Sequence, residues 1–261
     1  MRHFLSAAAL SLLAASLVQA AGFVHNENFV VITESGLNAQ EDTRFAETVL
    51  AAAEKYRRDI SLEWFGEVLP PGIGRTTISV RHAADRDSGL TWAMDHPDRK
   101  MHTVYLFAMG EEATGSTLAH EIAHVVLATH FPHPQRLPAW LEEGIASRYD
   151  DGQRNQTRDS VLRFFTKQDH WPRIEGVMNA ENIAAEDTRA YATAVSLTEM
   201  LLAQGDKETL LQFGRAATRS GWQQALNECY RIRDAGQLQQ SWQNWVTGSA
   251  RSAPRLSQLT R

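Results

Sequence analysis

The run STLAHEIAHVVLATH, from Ser116 to His130, sets three histidines and one carboxylate among apolar residues. Apart from His120, Glu121 and His124, every residue from Leu118 to Leu127 is Leu, Ala, Ile or Val. Such a run is predicted to be a buried helix to about Thr129, with Ser116 or Thr117 as its cap. Residues four apart share a helix face, offset by about 40° and about 6 Å along the axis. His120 and His124 can therefore aim two imidazoles at one metal ion. Glu121 lies about 100° round from His120, off the ion but able to reach a water beside it. These are the parts of a hydrolytic zinc site. Zinc lowers the pKa of a water, and the carboxylate takes its proton as it attacks a carbonyl. Buried imidazoles also need partners for their nitrogens, and a metal supplies one.

A catalytic zinc with an open position takes three protein ligands. His130 has the spacing of the third ligand in the metzincin pattern HExxHxxGxxH, but Leu127 stands where that pattern has a helix-stopping glycine. Leucine favours continuing the helix. His130 is then carried about 9 Å past His124 along the axis and onto another face, out of reach of the ion. His130 and His133 are expected in an exposed loop before Pro138. Without that glycine, Val177-Met178-Asn179 is discounted as the Met-turn of the same clan.

HEIAH followed by WLEEGIAS, with eighteen residues between His124 and Glu143, resembles the gluzincin metallopeptidases. The wider run STLAHEIAHVVLATHF…LPAWLEEGIAS is similar to the small peptidase-MA-like domains of exported bacterial proteins, over roughly positions 116 to 147. The resemblance implies Zn²⁺ held by His120, His124 and Glu143, with Glu121 as general base. Glu142 competes with Glu143 by adjacency, but a shift of about 100° is expected to face it away. Gly144 is expected to let the second helix pack close to the first. Ser147, one turn after Glu143, is placed to orient a ligand histidine. The family commonly uses a downstream tyrosine or histidine against the oxyanion. Tyr191, opening the helix Arg189-Ala190-Tyr191-Ala192, is the candidate; Tyr149 is second and His170 third. In zincins the strand before the metal helix, here His102–Met109, forms the sheet edge beside the cleft. An extended peptide substrate could add to it through backbone hydrogen bonds.

The elements that must position these residues are legible in outline. Phe29–Thr33 reads as a short buried strand, Arg75–Val80 as an alternating strand, and His102–Met109 as a strand with Val104, Leu106 and Ala108 on one face. Ser88–Pro97 reads as turn-rich. Pro70-Pro71-Gly72 and Gly74 mark a loop, and Gly110 ends a strand. A helix is predicted over Ala39–Asp59, and another starts at Pro138 and closes at Asp150-Asp151-Gly152. Beyond this the chain looks all-helical, over Ser160–Lys167, Asp187–Leu202, Lys207–Ala217, Trp222–Arg231 and Gln237–Val246. The expected fold class is α+β, a zincin-like catalytic domain with a small N-terminal mixed sheet. Residues 21–150 form its α+β part with the metal-binding helices. Residues 151–250 form a helical part closing the cleft, and residues 251–261 a flexible tail.

The 261 residues suffice for a real core, and 43% of them are hydrophobic. The net charge of −5, with no basic cluster, argues against nucleic-acid binding. MRHFLSAAALSLLAASLVQA has a basic start, an apolar run and a small-residue end, as a signal peptide does. Cleavage is expected after Ala20 or Ala21. Its apolar run is short for a membrane span, and no stable membrane insertion is expected. Cys229 is the single cysteine, so no internal disulfide is expected; it falls in an apolar-periodic stretch and reads as buried. The expectation is an exported zinc metallopeptidase, periplasmic or secreted, acting on a peptide or protein substrate. Two other readings stand beside it. One is a zinc-containing binding or scaffold protein without turnover. The other is a zinc amidase acting on non-peptide amides. The intact Glu121 favours hydrolysis, since a structural site needs no base.

Overall fold

The computed structural model describes residues 22–34, 38–72, 75–81, 88–96, 99–108 and 113–252. The predicted signal segment, Gly74, Gly110 and residues 253–261 lie outside them. Strands β1 (Gly22–His25) and β2 (Phe29–Glu34) form a hairpin. Helix α1 (Ala39–Phe65) follows, then β3 (Thr76–Arg81), β4 (Ser88–His96) and β5 (Arg99–Phe107). The sheet order is β1-β2-β3-β5-β4. β2, β3 and β5 run parallel, while β1 and β4 are antiparallel to their neighbours at the two edges.

The sheet is one-sided. Phe29, Val31, Ile78, Val80, Val104 and Leu106 point inward and are buried, as strand alternation requires. The row Phe23, Ile32, Ser79, Tyr105 and Leu90 crosses all five strands on the other face; Phe23, Tyr105 and Leu90 in it are exposed. Helix α1 starts where Asn38 accepts from the backbone of Gln40 and Glu41. Its stripe of Ala46, Val49, Ala53, Ile60 and Trp64 is buried at helical spacing.

Helix α2 (Ser116–His130) is the centre of the molecule. Leu118, Ile122, Val126 and Leu127 are all at most 1% exposed, so the helix is buried nearly all round rather than on one stripe. Each such side chain contributes roughly 1.5–3 kcal/mol by leaving water. The sheet and α1 lie against α2, as does α3 (Ala139–Ala146). The expected side-chain cap is absent: the N-cap is Gly115. Ser116 instead meets Asp151, and the Thr117 hydroxyl accepts from Arg154.

The C-terminal half is helical, as expected. A 3₁₀ turn (Ser147–Tyr149) leads to α4 (Gly152–Gln168), α5 (Ile174–Met178), α6 (Thr188–Gln204), α7 (Lys207–Ser220), α8 (Trp222–Tyr230) and α9 (Ala235–Ser252). Positions 251 and 252 thus end α9 instead of starting a tail. One cluster of buried side chains runs from Phe29 through α2 to Val246, joining both halves. Cys229 is partly buried at the end of α8.

Three expectations need correction. Ser88–Pro97 is not a turn region: it supplies β4, paired with β5 over nine positions. Continuous ladder pairing overrides the local Ser-Gly and Asp-His-Pro signals. β5 is therefore an inner strand, and the edge beside α2 is β4. Gly144 also serves a different contact. A Cβ there would lie 2.0 Å from Thr198 Oγ1 and 3.0 Å from the Ala194 carbonyl oxygen, so this glycine admits α6, not α2.

Gly144→Ala is expected to push α6 away from α3 and cost about 1–3 kcal/mol in denaturant unfolding. An unchanged unfolding midpoint would contradict this packing.

Candidate metal centre

Two short-range facts place the donor atoms. His120 and His124 are one turn apart on α2, and Glu143 lies on α3, which packs against α2. His120 Nε2 and His124 Nε2 are 3.1 Å apart, and Glu143 Oε2 is 3.6 Å from each. The point in their plane equidistant from all three lies about 2.0 Å from each, which is the bond length zinc takes to nitrogen and carboxylate oxygen. The residues thus fit a metal ion by geometry and by donor type. Among the described residues this is the one group of three or more such side chains close enough to share an ion. The three side chains are 10%, 11% and 18% exposed, so the cluster is buried but still reachable from solvent.

Each imidazole is held from behind. His120 Nδ1 lies 3.1 Å from Asp150 Oδ1, and His124 Nδ1 lies 3.0 Å from Glu142 Oε1. A carboxylate accepts only, so each Nδ1 donates its proton outward, and each Nε2 is aimed at the centre, where it offers a lone pair once its own proton has left. Asp150 is itself gripped by Arg158 Nη1 at 2.6 Å and Arg154 Nη1 at 3.1 Å, both from α4. Opposite them, the Tyr191 hydroxyl donates to Glu143 Oε2 at 2.6 Å. Tyr191 reaches that point because Asp187 caps α6 at the Ala190 N–H and Gly144 admits the helix.

The electrostatics follow from this crowding. Burial alone would lower the His120 pKa, but the hydrogen bonds to Asp150 and Glu143 prevail and raise it to about 9. His124 is pushed up in the same way by Glu143 and Glu142, again against burial. Burial would raise Glu143, yet the two imidazoles, His124 foremost, hold its carboxyl well below the usual range. Burial raises the Tyr191 phenol, and the Glu143 carboxylate raises it further, so the hydroxyl stays protonated as a donor. A buried pair of imidazoles ringed by carboxylates attracts positive charge, and in the metal-free chain protons on the imidazoles supply it.

The remaining sequence candidates take the following positions. Glu142 does not face away; it turns back onto His124 Nδ1. Ser147 orients neither histidine, and its buried hydroxyl has no partner among the described residues. Tyr149 is committed elsewhere, donating to Glu63 Oε2 at 2.7 Å and accepting from Trp64 Nε1 at 2.8 Å. His170 is exposed just past α4. His130 ends α2 outside the cluster, but it is half-buried, its ring stacked on Phe65 with centroids 3.4 Å apart. His133 is exposed in the loop before α3. Glu121 is not in the ligand group either; its carboxylate is turned toward β4, where Thr91 Oγ1 donates to it. Asp150, Arg154, Arg158 and Thr91 carry no spacing signal that sequence reasoning could use. Asp150 reads from sequence as a helix stop.

Two outcomes are expected. Asp150→Asn removes the charge behind His120 and should weaken metal binding about 10–100-fold, measured by competition with a chromogenic chelator. An unchanged affinity would contradict the role of Asp150. The raised His120 pKa stabilises the metal-free fold fully below the ordinary value of 6.5, and this is lost as pH rises through about 9. The melting temperature of metal-free protein should therefore fall across that window. Apparent metal affinity should rise with pH, by about tenfold per pH unit for each imidazole proton that the metal displaces. A flat metal-affinity profile would contradict it.

No protein-family model matches this chain, and no curated protein matches it.

Proposed function

We propose that this protein is an exported zinc-dependent metallopeptidase of gluzincin type. The observation that carries the reading is the convergence of His120 Nε2, His124 Nε2 and Glu143 Oε2 on one point, with Glu121 beside the cluster but outside it. Three protein donors are the number a catalytic zinc takes, whereas structural zinc sites close with four. Zinc, when bound, supplies Lewis acidity that lowers the pKa of water and polarises a carbonyl.

The chain's own residues do the rest. Glu121 takes the proton of the attacking water and returns it to the leaving amine. Tyr191, whose hydroxyl donates to Glu143 Oε2, would release that bond to donate to the oxygen that gains charge. Glu142 and Asp150 hold the imidazoles against rotation. The antiparallel edge strand β4 beside α2 supports a zincin-like architecture. Among the described residues nothing pairs with its other edge, so an extended peptide can add there through backbone hydrogen bonds. Among the described residues no helix is long and apolar enough to cross a membrane. The N-terminal MRHFLSAAALSLLAASLVQA supports export.

The test is metal analysis together with a peptide-library cleavage assay, with and without chelator, on wild type and Glu121→Gln. Wild type should bind one zinc and cleave peptides in a chelator-sensitive manner. Glu121→Gln should keep the zinc and lose about 10²-fold or more in rate. Full activity in that variant would overturn the mechanism. One zinc with no cleavage across the library would replace the peptidase with a zinc-binding scaffold.

A further inference from the structure

Glu121 is cradled by two residues of the edge strand. Thr91 Oγ1 donates to its carboxylate oxygen Oε2, and also lies 3.2 Å from the Glu121 carbonyl oxygen. Gly89, two residues earlier and so on the same face of β4, lies against the other side of the group. A Cβ at position 89 would sit 2.4 Å from Glu121 Oε1, 2.6 Å from Cγ and 2.8 Å from Cδ. Any side chain at 89 would displace the carboxylate.

A glutamate has three rotatable side-chain bonds, and a free one presents its carboxylate in many orientations. Glu121 is only 5% exposed, and the protein group seen to fix its carboxylate is the Thr91 hydroxyl. With Oε2 accepting from Thr91 and Oε1 against Gly89, the plane of the carboxylate is set by the strand, not by the helix that carries it. We infer that Thr91, with Gly89, is the positioning element for Glu121. It fixes the lone pairs that receive the proton. This rests on the peptidase reading above and adds to it a residue from β4. β4 is also the strand to which a substrate would add. The base is therefore aligned by the same strand that docks the peptide, and Thr91 is a positioning residue rather than a catalytic one.

The test compares Thr91→Val, which keeps the shape and removes the donor, with Thr91→Ser, which keeps the donor, in zinc-loaded protein. Thr91→Val should lower kcat about tenfold with KM nearly unchanged, and Thr91→Ser should restore most of it. Zinc stoichiometry should be the same in all three. Gly89→Ala provides an independent variant, with kcat lowered while zinc is retained. A readout apart from turnover is the carboxylate infrared band of Glu121 in metal-free protein, assigned by difference against Glu121→Gln. It should shift in Thr91→Val and return in Thr91→Ser. Hydrolysis by wild type with kcat unchanged in Thr91→Val, or a band that does not shift, would overturn this inference alone. Absence of hydrolysis by wild type would overturn the peptidase reading and this inference with it.

Discussion

Two imidazoles buried with their Nε2 atoms 3.1 Å apart form the constraint on which the structure depends. Both Nδ1 atoms are engaged by carboxylates, so both lone pairs face inward, toward each other and toward Glu143. Two lone pairs and a carboxylate repel unless positive charge lies between them. Protons meet that need only by occupying the lone pairs themselves. A divalent cation satisfies all three donors together. Glu142, Asp150 and the two arginines on Asp150 all serve this arrangement.

The fold supplies the convergence from three directions. Helix α2, buried on nearly every side, presents both histidines and Glu121 from a rigid rod. Helix α3 brings Glu142 and Glu143 on consecutive residues, which serve the back of one imidazole and the centre of the cluster. Helix α6, admitted by the bare Gly144, brings Tyr191 onto Glu143, and α4 contributes the arginines behind Asp150. The sheet contributes through its edge, where Thr91 and Gly89 meet Glu121. The helical half therefore does more than close the molecule, since Tyr191, Arg154 and Arg158 all belong to it.

The parts legible in the sequence were those written in local period. The HEIAH spacing places two imidazoles on one face without any tertiary information, and Leu127 argues for the straight helix that leaves His130 outside the cluster. Most of the helices and three strands follow from apolar periodicity. The parts that were not legible depend on pairing at a distance. β4 contains Ser-Gly at one end and Asp-His at the other, and only its ladder with β5 makes it a strand. Glu142, not Ser147, orients a ligand histidine, and helical angles alone do not say how far a carboxylate bends back toward its neighbour. Asp150 reads locally as a helix stop because its partners, His120 and Arg158, are thirty positions before it and eight after.

The central claim is that one metal ion sits among His120, His124 and Glu143. It is tested most directly by a crystal structure of zinc-loaded protein with anomalous data collected on both sides of the zinc edge. The account predicts a single strong anomalous peak about 2.0–2.2 Å from His120 Nε2, His124 Nε2 and a Glu143 carboxylate oxygen. A peak bound instead by Glu142 or His130, or no peak among these three residues at full zinc loading, would contradict it.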